Sequence, residues 1–474
     1  MNNVCPQLKL LNEEQIQQVH GYALRILSET GVRVDSPFVL EKLGKTGQAQ
    51  VQGRSVKVSP ELVEGAIHSA PSTIQMYDRR GNPAFRLGDD RLRFGVGVTA
   101  LYYQEPEDEN LELFTREHMR DLTRLGSVLP LYDVISTPGI VRDVPEHLSD
   151  LYGSLEHFAN TTKPLVLLVS DEHNFAPVLD MFEHLHGGLG EKPFALPYFN
   201  PVSPLVMDGG TLLKMEVAVE RELPFIFSNY SMAGVSTPLT PAGTLALLLA
   251  ELLAGLTISQ VMKPGTPVLL GMLPVYFDMK TMLNFYDPQS FLLNLACVEM
   301  MAYYKLPHCG PSGSGTGWGM DLIAADTYWM NMLTFALSQS KGGLAPFVGD
   351  SLGSKAISPT TIVHVHEIIG QALRFANGFQ LDDARVALDE IAKVGPGGSF
   401  LSSPSTLKNY KKSYYVSEVY PRWTMERWLA EGQPEARQIL RKRTRALLAN
   451  LSAPDDYEKL VGKGSEFIKN LAQG

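Results

Sequence analysis

PHCGPSGSGTGWG, residues 307–319, carries enough glycine to bring backbone close to a ligand, and its reading separates two fold classes. A dinucleotide-binding sheet needs G-x-G-x-x-G where a strand turns into a helix. Here Trp318 stands three residues after Gly315 and Met320 three after Gly317, so neither start completes the fingerprint. A P-loop needs lysine directly after its last glycine, and no lysine lies between Lys305 and Lys341. With phosphate set aside, the loop is placed by what surrounds it.

Outward from this loop the chain alternates short apolar runs with helical stretches. The runs are RFGVGV (93–98), DVIST (133–137), PLVLLVS (164–170), FALPYFN (194–200), PFIFSNY (224–230), PVLLGM (267–272), LPHCG (306–310) and LAPFVGD (344–350). Helical patterns follow, among them 117–128, 147–160, 211–222, 288–304, 321–340 and 359–375. A repeat of roughly 35 residues over eight units is what a (β/α)8 barrel of about 250 residues requires. Nearly continuous apolar runs also fit parallel strands covered on both faces. An open doubly wound sheet would share this alternation, but eight regular units without a dinucleotide fingerprint favour closure.

The expected fold is therefore α/β, a (β/α)8 TIM barrel over residues 92–376. A small α+β region (1–91) precedes it and a helical extension (377–474) packs on it. In the first region Asn12 opens an amphipathic helix, AQVQGRSVKVS (49–59) alternates like a hairpin, and Ser59-Pro60-Glu61 caps a helix running to Ala70.

Forty-one basic against 51 acidic residues give a formal charge of -10, without long runs of either sign, which argues against nucleic acid and anionic membranes as partners. Cys5, Cys297 and Cys309 are too few and too scattered for a disulfide framework. With no basic-then-apolar leader at the N-terminus, a cytoplasmic protein is expected. TLALLLAELLAGLTISQVM (244–262) is long enough to cross a membrane. Glu251 and Gln260 interrupt it and prolines bracket it, so a buried core helix is the expectation.

In a barrel of this kind the site lies at the carboxyl ends of the strands, and the 307–319 loop leaves the seventh. Strand-end reading gathers Tyr102, Tyr103, Asn200, Ser203, Asn229, Tyr230, Tyr276, Asp278, Ser312, Trp318, Phe347 and Asp350 at the mouth. Rings dominate and no arginine ends a strand in the second half, so the mouth suits a cation held over π faces rather than a phosphate. Each ring has packing as its plain alternative. His364 and His366, two apart on a helix, point to different faces and read as structural. His308 and Cys309 lack a third partner for a metal, and packing or substrate contact is the alternative. Glu251 reads as a buried acid that needs hydrogen-bond donors.

Longer motifs carry a resemblance. NPVSPL (200–205), MAGVSTPLTPAGTLALLLAELLAG (232–255), QVMKPGTPVLLG (260–271), DMKT (278–281), VGPGGSFLSSPSTLKNY (394–410) and WLAEGQPEAR (428–437) resemble the trimethylamine methyltransferase superfamily. Ser399 and Ser405 stand where that family's pattern has histidines. The resemblance implies a (β/α)8 barrel that moves a methyl group from an amine to the Co(I) corrinoid (cobalamin) of a cognate corrinoid-binding protein. Archaeal trimethylamine enzymes of the family carry pyrrolysine; this sequence has none, so it resembles the non-pyrrolysine branch acting on quaternary amines.

Glycine betaine, giving dimethylglycine, is then the most economical substrate, with proline betaine and carnitine as alternatives. A quaternary nitrogen leaves as a neutral tertiary amine, so no general acid or base and no bound metal is expected. Tyr102, Tyr230, Tyr276, Trp318 and Phe347 would cage the ammonium. Backbone N–H groups from Gly313 through Gly315 to Gly319, with His308 or Asn200, would take the carboxylate. A zinc-dependent methyltransferase and a non-catalytic betaine-binding or docking barrel are the rival readings, and a symmetric homo-oligomer is expected.

Overall fold

The eight apolar runs form strands whose barrel residues are buried on both faces, as a parallel sheet covered by helices requires. The computed structural model describes residues 3–310, 317–338 and 342–473. The strands are β1 Arg93–Val96, β2 Val134–Ser136, β3 Leu165–Leu167, β4 Ala195–Phe199, β5 Phe225–Ala233, β6 Val268–Asp278, β7 His308–Cys309 and β8 Leu344–Ala345. Each pairs in parallel with the next, and β8 pairs with β1 (Leu344 opposite Arg93), which closes the barrel.

Eight helices follow the strands in turn: α1 Arg116–Val128, α2 Ser149–Ala159, α3 Glu172–His186, α4 Gly209–Glu220, α5 Pro241–Met262, α6 Pro288–Tyr303, α7 Leu322–Leu337 and α8 Pro359–Ala376. Most begin at a side-chain cap, such as Thr115, Asp208, Asp287 and Asp321, whose oxygen accepts an orphan N–H of the first turn.

The apolar helix α5 has 89% of its most hydrophobic window buried inside the protein. Its inner side lies so flat on β5 that a Cβ at Gly255 would sit 2.0 Å from the Phe227 ring. Its outer side is covered by the N-terminal helices Glu13–Arg25, Pro37–Lys45 and Pro60–Ser69. A helix apolar all round is thus explained by two layers of protein, one on each side. The expected hairpin is present as Ala49–Gln52 paired with Ser55–Val58, and Ser59 caps the following helix.

A second hairpin, Ile74–Tyr77 with Pro83–Leu87, closes the amino-terminal end of the barrel. Tyr77 N–H donates to Pro193 O and Arg79 N–H to Thr162 O, both just ahead of strands. Its Ile74, Met76 and Leu87 pack against Val134, Val166, Leu196, Ile226 and Leu269 inside the barrel. From the hairpin turn Arg79, 4% exposed, reaches Asp456 through two bonds of 2.8 Å. That pair ties the closed end to the C-terminal helix Tyr457–Gln473, which lies on α2 and α3.

β5 and β6 run past their expected ends, to Ala233 and Asp278, in unbroken register from Phe225 opposite Val268 to Ala233 opposite Tyr276. With Leu283–Phe285 added antiparallel to β6, they raise a wall above the carboxyl-terminal mouth.

Candidate functional site

Alternation along the strands decides which side chains enter the barrel. Ile226 and Leu269 point inward, so Ser228 and Tyr230 on β5, and Gly271 and Leu273 on β6, share that face. On β4 the inward series is Leu196, Tyr198 and then Asn200. Above these side chains lies an inner chamber of about 370 Å³ lined by Leu168, Tyr198, Asn200, Tyr230, Leu273, Asn284 and Phe347, with Val98, Thr99, Gly353 and Ser354 completing it.

Three rings define the chamber. Tyr198 meets Phe347 edge to face, centroids 5.0 Å apart, a geometry aromatic pairs prefer. The Tyr198 hydroxyl accepts from Asn200 Nδ2 at 3.0 Å, and the Tyr230 hydroxyl accepts from Asn284 Nδ2. Burial pushes the Tyr230 phenol above its ordinary value, against the pull of the Asn284 amide. Burial likewise raises Tyr198, so both phenols are neutral at physiological pH. Among the described lining residues there is no charged side chain.

An outer cavity of about 470 Å³ shares Asn284 and Gly353 with the chamber and opens above it. Tyr102, Leu111, Phe285 and Trp318 line it, together with Asp278, Thr281 and the exposed Lys355. Thr281 Oγ1 and the Lys280 N–H bond the Asp278 carboxylate and hold it below its ordinary range. Lys355 is the one cation lining either cavity among the described residues.

Of the residues read from the sequence, Asn200, Tyr230 and Phe347 lie together in the chamber, and Tyr102 and Trp318 in the outer cavity. Tyr276 does not join them. Because β6 continues as a strand, Tyr276 has the opposite parity to Leu273 and turns to the far face of the wall, 6.2 Å from the Phe285 ring. His308 is also displaced. It pairs with Leu270, on the outward face of the barrel, and its Nδ1 lies 3.0 Å from Leu306 O, whereas Cys309 takes the inward position. Gly313, Gly315 and Ser312 lie outside the described residues.

Other strand-end residues serve the frame. Tyr103 stacks on His118 at 4.0 Å, and Asp350 accepts from the Tyr328 hydroxyl at 2.8 Å. Glu251 on α5, fully buried, accepts from Ser203 Oγ (2.7 Å), Leu205 N–H (2.7 Å) and Asn229 Nδ2 (3.1 Å). Burial raises this carboxyl, and the three donors pull the other way. The group thereby fastens NPVSPL, the loop that presents Asn200, to the outer face of β5. His364 and His366 are structural: Nδ1 of the first lies 2.7 Å from the Tyr420 hydroxyl, and Nε2 of the second accepts from Leu131 N–H.

Glu105, Glu112 and His118 bring three metal-ligating atoms within 4.8 Å of one another. They stand outside both mouth cavities, and His118 Nδ1 already accepts the Thr115 N–H that closes the cap of α1. Sequence reading missed Tyr198, Asn284 and Lys355. Inward parity within FALPYFN could have found Tyr198, while Asn284 sits on the three-residue strand Leu283–Phe285, too short to show a period, and Lys355 in a turn.

A family model described as trimethylamine methyltransferase (MTTB) matches residues 1–470. The chain is 27% identical to a glycine betaine methyltransferase of Desulfitobacterium hafniense strain Y51, over 99% of this chain and 98% of that one. It is 25% identical to a trimethylamine methyltransferase of D. hafniense strain DCB-2, over 95% and 91%, and 23% identical to one from Methanosarcina barkeri strain Fusaro, over 98% and 97%. The crystal structure of M. barkeri monomethylamine methyltransferase superimposes with a TM-score of 0.54 at 9% identity, covering 98% of this chain and 89% of the other, a likeness of fold. A closed eight-stranded barrel and a family match over nearly the whole chain agree, and the protein belongs to the trimethylamine methyltransferase family and is a methyl-transferring enzyme.

Proposed function

We propose that this enzyme takes a methyl group from a quaternary amine, glycine betaine in the simplest case, and passes it to a reduced corrinoid carried by a separate protein. The observation that carries this reading is a chamber walled by Tyr198, Tyr230 and Phe347 whose described lining residues carry no charged side chain. A methylated ammonium has no N–H to satisfy and is attracted to π faces, so rings without a carboxylate suit it. Its departure as a neutral tertiary amine demands no proton at the nitrogen.

Positive charge on nitrogen falls as the methyl group leaves, so a cage that bound the cation too strongly would slow the step. A cage of three rings, with the polar tips of two already engaged, meets that condition. Lys355 in the outer cavity offers the carboxylate of a betaine its counter-charge, with Asn200, Asn284 and Ser354 as nearer polar groups. The rings orient the N-methyl and keep water from it.

The residues around the opening fit the approach of a large flat macrocycle. Met279 and Trp318, each 72% exposed, stand with Met282 and Leu283 on the rim of the mouth. A reduced corrinoid presented there supplies the nucleophile that accepts the methyl group. The outer cavity adds about 470 Å³ above the chamber, so proline betaine and carnitine are part of the test.

The test is spectroscopic: under strictly reducing conditions the protein is mixed with Co(I) cobalamin or the cognate corrinoid protein, and single amines are added. Loss of the Co(I) absorption with glycine betaine and not with trimethylamine is the expected result. Loss with trimethylamine alone overturns the quaternary reading.

A further inference from the structure

Among the described residues, Asn284 and Gly353 alone border both the chamber and the outer cavity. They arrive from unrelated parts of the chain. Asn284 is the middle residue of Leu283–Phe285, the strand on the edge of the β5–β6 wall, and Gly353 belongs to the turn between Asp350–Ser351 and Ala356–Ile357. Their neighbours divide between the two spaces: Leu283, Phe285, Leu352 and Lys355 line the outer cavity, whereas Ser354 lines the chamber. The two segments therefore stand edge-on between the cavities and meet at this pair.

A Cβ at Gly353 would lie 3.3 Å from Asn284 Oδ1, closer than non-bonded atoms ordinarily settle. One carbon attached to the Gly353 backbone already crowds the amide, so no methylene chain passes between the two residues. The turn is firmly set. Leu352, Gly353 and Ser354 have φ of 55°, 64° and 66°, a left-handed run that non-glycine residues keep only where their surroundings fix it. Leu352 N–H donates to Gly317 O at 2.9 Å and Ser354 Oγ to Asp350 Oδ2 at 2.5 Å. Across from it, half-buried Asn284 is held in place by the bond its Nδ2 donates to the Tyr230 hydroxyl.

We propose that Asn284, set against Gly353, is a specificity-determining partition that limits the tail length of the amine the enzyme accepts. The inference rests on the quaternary-amine reading of the chamber. An ammonium caged by Tyr198, Tyr230 and Phe347 with a one-carbon tail ends its carboxylate on the chamber side, beside the Asn284 amide. A longer tail has to cross the partition to use the space beyond it. There it would meet Lys355, while the Asp278 carboxylate in the same cavity is already engaged by Thr281 Oγ1 and the Lys280 N–H. Selection of this kind works by exclusion: the partition need add nothing to the affinity for the short substrate in order to reject the long one. Glycine at 353 serves the same end, because any side chain there would push Asn284 off its bond to Tyr230.

The test is calorimetric titration of the full-length protein with glycine betaine and with carnitine, whose carboxylate stands two carbons farther from nitrogen. The wild type is expected to bind glycine betaine the more tightly. In Asn284→Ala the Kd for carnitine should fall about tenfold, and adding Lys355→Ala should cancel that gain. Carnitine affinity unchanged in a folded Asn284→Ala overturns the proposal, even if glycine betaine is weakened, because Asn284 would then be a contact and not a partition. A wild type that prefers carnitine overturns it too. Should the alanine variant fail to fold, Asn284→Ser removes the amide, keeps a polar atom and is judged by the same carnitine shift. The titration contains no corrinoid, so an absence of methyl transfer would overturn the proposed reaction and leave this result standing, whereas a wild type that binds neither betaine overturns both.

Discussion

The two ends of the barrel interior are filled in opposite ways. At the amino-terminal end Ile74, Met76 and Leu87 enter from a hairpin and complete an apolar plug with Val134, Val166 and Leu196. At the carboxyl-terminal end Tyr198 and Phe347 stop the filling and leave a chamber. A barrel interior is normally a packed core, and a space inside it has to be kept open by side chains that cannot collapse. Rings serve because they are stiff, and here Asn200 and Asn284 hold two of them by their hydroxyls. Closing an end asks only for apolar volume. Keeping one open asks for particular residues in particular bonds.

Acid separates both ends from the helical shell around them, and gives the largest expected effect. Burial holds His157, His364 and His366 at pKa values of about 4. None of the three lines a mouth cavity. The folded values lie below the ordinary 6.5, so the unfolded chain binds more protons between about pH 6.5 and 4. Stability is intact above that window and falls as pH drops through it, in sum by on the order of 5 kcal/mol near pH 4.5. Denaturant midpoints across the window check the slope. Substrate affinity measured while the protein is still folded should stay flat, because both chamber phenols are neutral throughout.

At the plugged end Met76→Asp puts a carboxyl among apolar atoms with no donor. A loss of about 4 kcal/mol is expected, read as a lower denaturant midpoint and less soluble protein. Met76→Leu, of nearly equal volume, should cost under about 1.5 kcal/mol. If the aspartate were tolerated, the hairpin would not be the closure described here.

Glu251 lies between the two regimes, a charge-bearing side chain buried in the shell and holding a loop at the open end. Glu251→Ala leaves Ser203 Oγ, Leu205 N–H and Asn229 Nδ2 without their acceptor, and a loss of about 3 kcal/mol is expected in the same denaturant experiment. Activity should fall with it, since the loop carrying Asn200 is released. This residue also marks how far the sequence could be read. A lone acid in an apolar helix announces that it has partners, but those partners come from a loop and a strand brought together only by the fold.

The eight strands were legible for a local reason: each is a short apolar run between helical patterns. The chamber was half legible. Asn200, Tyr230 and Phe347 follow from taking the last inward residue of a strand. That rule fails for Tyr276 and His308, because a side chain's face depends on where its strand ends and on its register, and β6 outruns its apolar run by six residues. Asn284 and Lys355 were illegible because a three-residue strand and a turn reach the mouth by chain path, which leaves no periodic trace.

Tyr230 offers the finest test of the open end. Its ring lines the chamber, and its hydroxyl accepts from Asn284 on the short strand that edges the β5–β6 wall. Tyr230→Ala removes one π face and frees Asn284, and kcat/KM for the quaternary amine should fall about 100-fold, close to 2.7 kcal/mol of transition-state stabilisation. Tyr230→Phe keeps the face and loses only the tether, so a drop of about threefold is expected, with KM carrying most of it. The melting temperature should move little in either, because Tyr230 is partly exposed, unlike the plug residues. Equal losses in the two variants would mean that the hydroxyl, rather than the ring, serves the substrate. The chamber would then work by hydrogen bonding and not as a π cage.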